Sequence, residues 1–402
     1  MNPRPTLTRR RLLGSTSLAA LAVGPLATRT ATAATSRASR RPGRALSVRG
    51  ADISFTLQLE RAGVHFSLDG RRGPVERILH SVGANWVRLR IWNDPPAGYS
   101  TARTALRLAL RAQRAGLKVL LDFHYSDFWA DPSKQVVPTA WQDQDLLTLA
   151  RTVRRYTHDV LADFARAGAR VDVVQVGNEI TAGMLWPLGQ VYVPGEPDDW
   201  AGFTTLLKAG IAGVRDARRH GQRPRVMVHA DRGGDNAGAR WFYDHVLEHG
   251  VGFDVIGLSY YPLWHGSLED LQNNLDDLAS RYGKDLVVVE TAYPWTLENG
   301  DDLENLVTDL SQVPDAEEFP PSPQGQRRYF EALRQVLLDV PAGRGLGFFA
   351  WEPEWIPGVG WTPGEGNPND NMTMFDWRGR ALPSLRAAFA RPHARTSGSE
   401  QQ

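Results

Sequence analysis

Eight hydrophobic runs alternate along the chain with segments of helical periodicity, and this alternation constrains the fold more than any other feature. The runs are short, rich in aliphatic residues and free of polar alternation, as is typical of buried parallel strands. They cover residues 50–55, 86–92, 117–123, 171–177, 225–229, 253–259, 286–290 and 345–351. Helical patterns cover 101–115, 143–167, 199–220, 268–282 and 324–339. The pattern predicts one α/β domain, a (β/α)8 TIM barrel over residues 46–391. A doubly wound open sheet is the alternative, but no G-x-G-x-x-G motif follows a strand.

Polar and aromatic residues stand at the carboxyl ends of the predicted strands. In barrels of this kind the carboxyl ends of all eight strands meet at the face that carries the active site. After strands two to eight these residues are Arg90, His124, Asn178, Glu179, His229, Tyr260, Glu290 and Trp351. Packing alone does not account for seven such strand ends, so the sequence predicts that they surround one polar mouth.

Two of these residues are carboxylates, Glu179 after strand four and Glu290 at the end of strand seven. A buried carboxylate is costly unless it lines a polar cleft. Two carboxylates on separate strands suggest the acid/base and the nucleophile of a retaining glycosidase. Asn178 is positioned to bind a sugar 2-hydroxyl, and Arg90, His124 and Tyr260 are candidate donors to Glu290. Alternatives stay open: each Glu could form a rim ion pair, His124 could be a core histidine, and Arg88 could be the inward arginine instead of Arg90.

Charge and cysteine content exclude several classes of function. The whole chain has 46 Lys and Arg against 45 Asp and Glu, a net charge of +1. Residues 1–45 hold nine of the arginines and no acidic residue, so residues 46–402 carry a net charge of about −8. An acidic body argues against a nucleic-acid partner, whereas a neutral polysaccharide needs no charge steering. The chain has no cysteine, which excludes thiolate metal sites and cysteine nucleophiles.

The amino terminus has the pattern of a secretory signal. Three arginines, Arg9 to Arg11, precede an apolar stretch over 12–27, and a small-residue A-T-A site follows at 31–33. The arginine pair before two leucines resembles a twin-arginine signal. We therefore predict a signal peptide over 1–33, a disordered spacer over 34–45, a polar tail over 392–402 and a secreted, extracellular protein. No membrane contact of the mature form and a monomeric state are expected.

Several stretches of the sequence resemble glycoside hydrolase family 53, the arabinogalactan endo-β-1,4-galactanases. They are GADIS at 50–54, WVRLRIWNDP at 86–95, DFHYSDFWADP at 122–132 with PTAW at 138–141, VGNEITAG at 176–183, WEPEW at 351–355 and NMTMFD at 371–376. The resemblance implies that Glu179 is the acid/base and Glu290 the nucleophile. It also implies an open groove for β-1,4-galactan, with Trp129, Trp351 and Trp355 as candidate stacking platforms. No cofactor for catalysis is expected. The alternatives are a related retaining mannanase, xylanase or β-galactosidase, or a non-catalytic sugar-binding barrel.

The resemblance further implies a structural calcium ion between the loops that follow strands seven and eight. Oxygen ligands at alternating positions suit calcium. The matching positions are Asn299, Asp301, Asn305, Asn367 and Asp370. Leu303 stands where the family pattern has a histidine, so one side-chain ligand is missing. The alternative is an ordinary acidic surface loop.

Overall fold

Eight parallel strands close into a barrel in the computed structural model, which describes residues 45–391. The strands are β1 (Val48–Asp52), β2 (Trp86–Ile91), β3 (Lys118–Phe123), β4 (Val173–Val176), β5 (Arg225–Ala230), β6 (Val255–Ser259), β7 (Asp285–Thr291) and β8 (Gly345–Ala350). Each strand pairs with its neighbour in sequence, and β8 pairs with β1. The predicted (β/α)8 barrel is confirmed.

Helices follow the strands around the outside of the barrel. They are α1 (Thr56–Arg61), α2 (Val75–Ser81), α3 (Ala102–Arg114), α4 (Leu146–Arg166), α5 (Trp200–Asp216), α6 (Asn236–Glu248), α7 (Pro262–His265), α8 (Leu268–Tyr282), α9 (Pro323–Asp339) and α10 (Pro383–Phe389). A short antiparallel hairpin, Phe66–Leu68 with Arg71–Gly73, lies between α1 and α2. Side chains cap several helices: Asp145 accepts the backbone N–H of Thr148 at the start of α4, and Ser267 forms a capping box with Asp270 at α8.

Alternation along the strands divides the core into two parts. Residues that point inward fill the barrel, and those that point outward pack against the helices. The inner cluster is Val48, Trp86, Leu120, Val173, Met227, Val255, Val287, Val289 and Phe349. Glycine makes room for it, since a Cβ on Gly50 would lie 2.2 Å from the Phe349 ring. Large apolar side chains thus fill the interior of the barrel. The polar residues described below occupy the next inward-pointing positions, toward the carboxyl ends of the strands.

The predicted signal peptide (1–33), nearly all of the spacer (34–45) and the tail (392–402) lie outside the described residues. Within residues 45–391, no helix is both long enough and apolar enough to cross a membrane.

Candidate active site

The turn after β4 presents Asn178 and Glu179 side by side at the mouth of the barrel. Val173 and Gln175 point inward along the strand, and Gly177 then takes a positive φ of 86°. Glu179 itself has φ 48° and ψ 52°, a left-handed conformation that costs a residue with a Cβ on the order of 1–2 kcal/mol. A short 3₁₀ turn, Ile180–Ala182, follows at once. This turn brings both polar side chains to the cavity from consecutive positions.

A β-bulge aims Glu290 into the barrel. Val287 and Val289 both belong to the inner cluster, so strict alternation would turn Glu290 outward toward the helices. The register between β6 and β7 shifts at this point, and Ser259 pairs with Glu290 instead of Val289. The extra residue turns the Glu290 carboxylate inward, as bulges beside active sites commonly do.

Glu290 is held by a cation and by a phenol. Its Oε1 lies 2.7 Å from an Arg88 guanidinium nitrogen, and its Oε2 accepts a hydrogen bond of 3.0 Å from the Tyr261 hydroxyl. Burial raises the pKa of Glu290 overall; the Arg88 charge and the Tyr261 hydrogen bond lower it, whereas the Asp122 and Asp52 charges raise it. Both contacts stabilise the ionised carboxylate.

Arg88 connects Glu290 to the floor of the cavity. Its guanidinium also donates to Asp52 at 2.8 Å, Asp122 at 2.9 Å and the Asn178 side-chain oxygen at 2.8 Å. Although burial lowers the pKa of Arg88, the surrounding carboxylates raise it overall. Its Nε also donates to the Gln175 side-chain oxygen at 3.2 Å, so the arginine is a fixed positive charge, 1% exposed, that ties five acceptors together.

Arg90 lines the same cavity but serves a different carboxylate. It forms an ion pair of 3.0 Å with Glu352, and its guanidinium lies 4.3 Å from the centre of the Trp129 ring. The prediction that Arg90 supports Glu290 therefore differs from the structure, where Arg88 has that place. Both arginines point inward, but Arg88 is the one directed toward Asp52, Asp122 and the end of β7.

Glu179 has no ion pair among the described residues and is held instead by a hydroxyl. Ser259 Oγ donates to its Oε1 at 2.6 Å, and His229 Nε2 lies 2.9 Å from the same Oγ. Burial raises the pKa of Glu179 well above its ordinary value, and the Glu290 and Asp231 charges raise it further. Glu179 and Glu290 therefore differ in one respect: both have acidic neighbours, but only Glu290 has a cation against it.

The two histidines at strand ends both belong to the polar network. His124 lines the cavity and bonds Asp122 through Nε2 at 2.9 Å, while its Nδ1 accepts the Trp92 indole N–H at 3.2 Å. Burial lowers the pKa of both His124 and His229, which favours the neutral form of each ring. His124 thus orients Asp122 beneath the cavity, and it does not contact Glu290, contrary to the expectation from the sequence.

Tyr261 stands where Tyr260 was expected. The Tyr260 hydroxyl donates to the Gly266 carbonyl at 2.9 Å, and its side chain does not line the cavity. The parity of β6 explains the difference, because Val255 and Ser259 point inward and Tyr261 continues that series. The alternation of side-chain direction along the strand is the sequence signal that identifies Tyr261.

Tryptophans form one wall of the cavity, which has a volume of about 420 Å³. Trp129 and Trp351 line it, as predicted, and Trp129 stacks on Trp361 with ring centres 4.5 Å apart. Trp355 differs from the prediction: it is fully buried behind this wall and stacks on Phe55 at 4.1 Å. Further lining residues, not singled out as site residues from the sequence, include Trp264, Trp361, His265, Asp131 and Asp231.

The two loops predicted to share calcium are joined by hydrogen bonds. The Asn305 amide nitrogen donates to Asp370 Oδ1 at 2.9 Å and lies 3.2 Å from Asn299 Oδ1. Asp301 accepts the backbone N–H of Asn367 at 2.7 Å. The Asn305 amide nitrogen thus bridges two of the predicted ligand oxygens, while its own Oδ1 is buried without a hydrogen-bond partner. Among the described residues no group of three or more His, Cys, Asp or Glu side chains is arranged to hold a metal ion.

Comparisons with known proteins agree with this geometry. The sequence profile of glycosyl hydrolase family 53 matches residues 48–388. An arabinogalactan endo-beta-1,4-galactanase of Humicola insolens is 37% identical over 85% of this chain and 98% of its own length. An uncharacterized protein of Niallia circulans is 45% identical over 88% of this chain and 96% of its own length. The solved GH53 catalytic domain of Ignisphaera aggregans superposes with a TM-score of 0.80 at 37% identity, covering 86% of this chain and 97% of that domain.

Proposed function

Since the chain belongs to glycosyl hydrolase family 53, we propose that Glu179 is its acid/base and Glu290 its nucleophile. The observation that carries this assignment is the asymmetry of their partners. Glu290 has the Arg88 cation and the Tyr261 hydroxyl, which favour the ionised form a nucleophile needs. Glu179 has no such cation, and burial together with its acidic neighbours favours the protonated form that a general acid needs at neutral pH.

The chain is a glycoside hydrolase, an arabinogalactan endo-β-1,4-galactanase. The family assignment and the galactanase relatives support this activity on β-1,4-galactosidic bonds of galactan. Its reaction retains the configuration of the anomeric carbon and needs no cofactor.

The proposed reaction has two displacements. Glu179 gives its proton to the glycosidic oxygen while Glu290 attacks the anomeric carbon, so that the leaving sugar departs and a galactosyl-enzyme forms. Water then attacks the same carbon, Glu179 takes a proton from that water, and the bond to Glu290 breaks. Arg88 and Tyr261 stabilise the Glu290 carboxylate before the first displacement and after the second.

The tryptophan wall is the proposed platform for the galactan chain. The apolar C–H face of a galactose can rest on the rings of Trp351 and Trp361, while Trp129, already stacked on Trp361 and covered by Arg90, lines the cavity with its edge. The Asn178 amide nitrogen donates to the Ala130 carbonyl with one hydrogen, which leaves the other for the sugar 2-hydroxyl. Trp355, buried behind the wall, supports it without contacting sugar.

We also propose that residues 1–33 direct export, through the twin-arginine route, and that the mature enzyme acts outside the cell as a monomer. The arginine pair, the apolar stretch and the A-T-A site support the export proposal. Expression in a bacterial host with and without the twin-arginine translocase tests the route. Appearance of the enzyme in the medium of both hosts would reject it.

The structural calcium ion is a separate hypothesis. For an ion to bind, the Asn305 amide nitrogen would have to leave Asp370 and Asn299. We propose that hydrogen bonds close the two loops instead. Chelation of the purified protein followed by a melting curve decides between the two.

A hydrolysis panel tests the substrate assignment. Linear β-1,4-galactan, mannan and xylan are each digested, and the products are separated by length. We expect release of short galacto-oligosaccharides from galactan and no cleavage of the other two polymers. Cleavage of mannan or xylan at a comparable rate would point to a different glycosidase of the same clan. Retention of undigested galactan by a protein that cleaves nothing would indicate a sugar-binding barrel.

A further inference from the structure

We propose that Ser259 and His229 form a relay that orients the Glu179 carboxyl and sets the oxygen from which it delivers its proton. The inference rests on the proposed acid/base role of Glu179. Ser259 and His229 do not touch the reacting atoms in this proposal, so they are positioning residues.

The contacts of His229 enclose Glu179 from two sides. The Glu179 backbone N–H donates to His229 Nδ1 at 3.2 Å, and the Glu179 carboxyl is reached from His229 Nε2 through Ser259 Oγ. Both His229 and Ser259 are fully buried, whereas Glu179 opens onto the cavity. One ring thus fixes the left-handed backbone of Glu179 and, through one hydroxyl, its side chain.

The direction of the hydrogen bonds follows from counting donors. His229 Nδ1 accepts the Glu179 backbone N–H at 3.2 Å, and it lies 3.0 Å from Gln175 Nε2 and 3.1 Å from the Asn178 side-chain oxygen. A backbone N–H can only donate, so it places the ring proton of neutral His229 on Nε2. Nε2–H therefore donates to Ser259 Oγ, and the Ser259 hydroxyl has its own proton available for Glu179 Oε1.

This polarity distinguishes the two oxygens of the Glu179 carboxyl. Oε1 is an acceptor that the relay already occupies, so the transferable proton resides on Oε2. A proton on one fixed oxygen is what general-acid transfer to a glycosidic oxygen requires. The β-bulge that turns Glu290 inward also pairs it with Ser259, so one backbone irregularity places both the nucleophile and the hydroxyl that orients the acid.

The groups that face Glu179 otherwise raise its pKa. They are Glu290 on β7, Asp231 after β5 and Asp131 after β3, together with the general effect of burial. The Ser259 hydrogen bond acts in the opposite direction, because it stabilises the ionised form. Removing the hydroxyl should therefore raise the pKa of Glu179 as well as release its side chain.

Ser259→Ala tests the relay through the pH profile. The acid must be protonated in the first step, so the alkaline limb of kcat/KM on galactan reports the pKa of Glu179. We expect this limb to move up by roughly one pH unit, since one hydrogen bond to a carboxylate is lost. We also expect kcat to fall roughly tenfold with KM nearly unchanged, because misorientation affects the transition state more than binding.

Two control variants are measured beside Ser259→Ala. Ser259→Thr keeps the hydroxyl and should restore the wild-type limb. Ser384→Ala removes another fully buried serine hydroxyl, one that donates to Gln326 on α9 and not to the cavity, and should leave the profile unchanged. If Ser259→Ala does not fold, Ser259→Cys keeps the shape with a weak donor and should shift the limb in the same direction.

The results distinguish a failure of the proposed relay from a failure of the acid/base assignment of Glu179. An alkaline limb of Ser259→Ala or Ser259→Cys that coincides with wild type would overturn the relay, as would a change in KM alone. Glu179→Gln is measured beside them. Full activity of Glu179→Gln would instead reject Glu179 as the acid, whereas a large loss there with an unmoved Ser259→Ala limb rejects only the relay.

Discussion

Tyr261→Phe removes one oxygen atom from the support of the nucleophile and leaves the ring in place. The hydroxyl donates to Glu290 Oε2 at 3.0 Å in a buried setting. A hydrogen bond to a charged group contributes about 1.5–3 kcal/mol, and about 1.4 kcal/mol corresponds to a tenfold change in rate. We therefore expect kcat on galactan to fall roughly tenfold to a hundredfold.

The pH profile of this variant has a defined sign. The Tyr261 hydrogen bond lowers the pKa of Glu290 against the effect of burial. Its loss raises that pKa, and since the nucleophile must be ionised, the acidic limb of kcat/KM should move to higher pH. Ser259→Ala, by contrast, should move the alkaline limb. The two limbs thus respond to different variants.

The neighbouring residue supplies the matched control for Tyr261→Phe. Tyr260 is equally buried, but its hydroxyl bonds the Gly266 carbonyl away from the cavity. Tyr260→Phe should lower the melting temperature slightly and leave kcat and both limbs near wild type. Steady-state kinetics on galactan and melting curves of both variants check this. If Tyr261→Phe proved as active as Tyr260→Phe, the hydroxyl would have no part in holding Glu290 and the assignment of its partners would fail.

Three further predictions follow from the same geometry. Glu290→Gln and Glu179→Gln should each lose activity on galactan by at least about 10²-fold. Only Glu179→Gln should still form the intermediate from an aryl galactoside with a good leaving group, and added azide should rescue it and give the β-galactosyl azide. Formation of the α-azide by Glu179→Gln would reverse the two roles. Arg88→Lys should lower kcat by roughly a hundredfold or more, because an ammonium cannot reproduce the guanidinium fork against five acceptors. Arg90→Lys should affect kcat less and stability more. Steady-state kinetics and melting curves compare the two variants, and equal losses in kcat would contradict the distinction. Chelation should leave the melting temperature unchanged. Asn305→Leu should lower the free energy of unfolding by about 1–3 kcal/mol, because Asp370 Oδ1 loses its hydrogen-bond donor. A melting temperature that falls with chelator and recovers with calcium would show that an ion, not the amide, closes the loops.

The barrel could be predicted from sequence because the signal repeats. Eight aliphatic runs separated by helical segments leave few arrangements, and the carboxyl ends of parallel strands then share one face by topology. This reasoning places Glu179 and Glu290 in a common cavity without knowing any side-chain direction. It also predicts Asn178, His124, Trp129 and Trp351 near them, and all of these line the cavity in the structure.

Side-chain direction was harder to predict where strand ends are irregular. Along β6 the inward series runs through Ser259 to Tyr261, so parity would have selected Tyr261 over Tyr260. Parity fails on β7, because the inward Val289 would have sent Glu290 outward had no bulge intervened. Register shifts depend on the neighbouring strand and have no local sequence signal, so such a bulge is visible only in the folded barrel.

The sequence also did not predict which of two similar residues binds a given partner. Arg88 and Arg90 both point inward, and which of them binds Glu290 depends on where Glu352 lies in the loop after β8. The same loop hides Trp355 behind Trp361. The calcium expectation depended on side-chain oxygens at suitable spacing, but spacing does not reveal that Asn305 presents its amide nitrogen to them.

The most direct test of the central claim is to trap the galactosyl-enzyme. A 2-deoxy-2-fluoro galactobioside with a dinitrophenyl leaving group slows both displacements, and its good leaving group keeps the first one fast enough for the intermediate to accumulate. After proteolysis, tandem mass spectrometry locates the modified residue. We expect a single fluorogalactosyl adduct on Glu290, absent from Glu290→Gln and present in Glu179→Gln. An adduct on Glu179, or no adduct together with initial release of the α-anomer from the natural substrate, would contradict it.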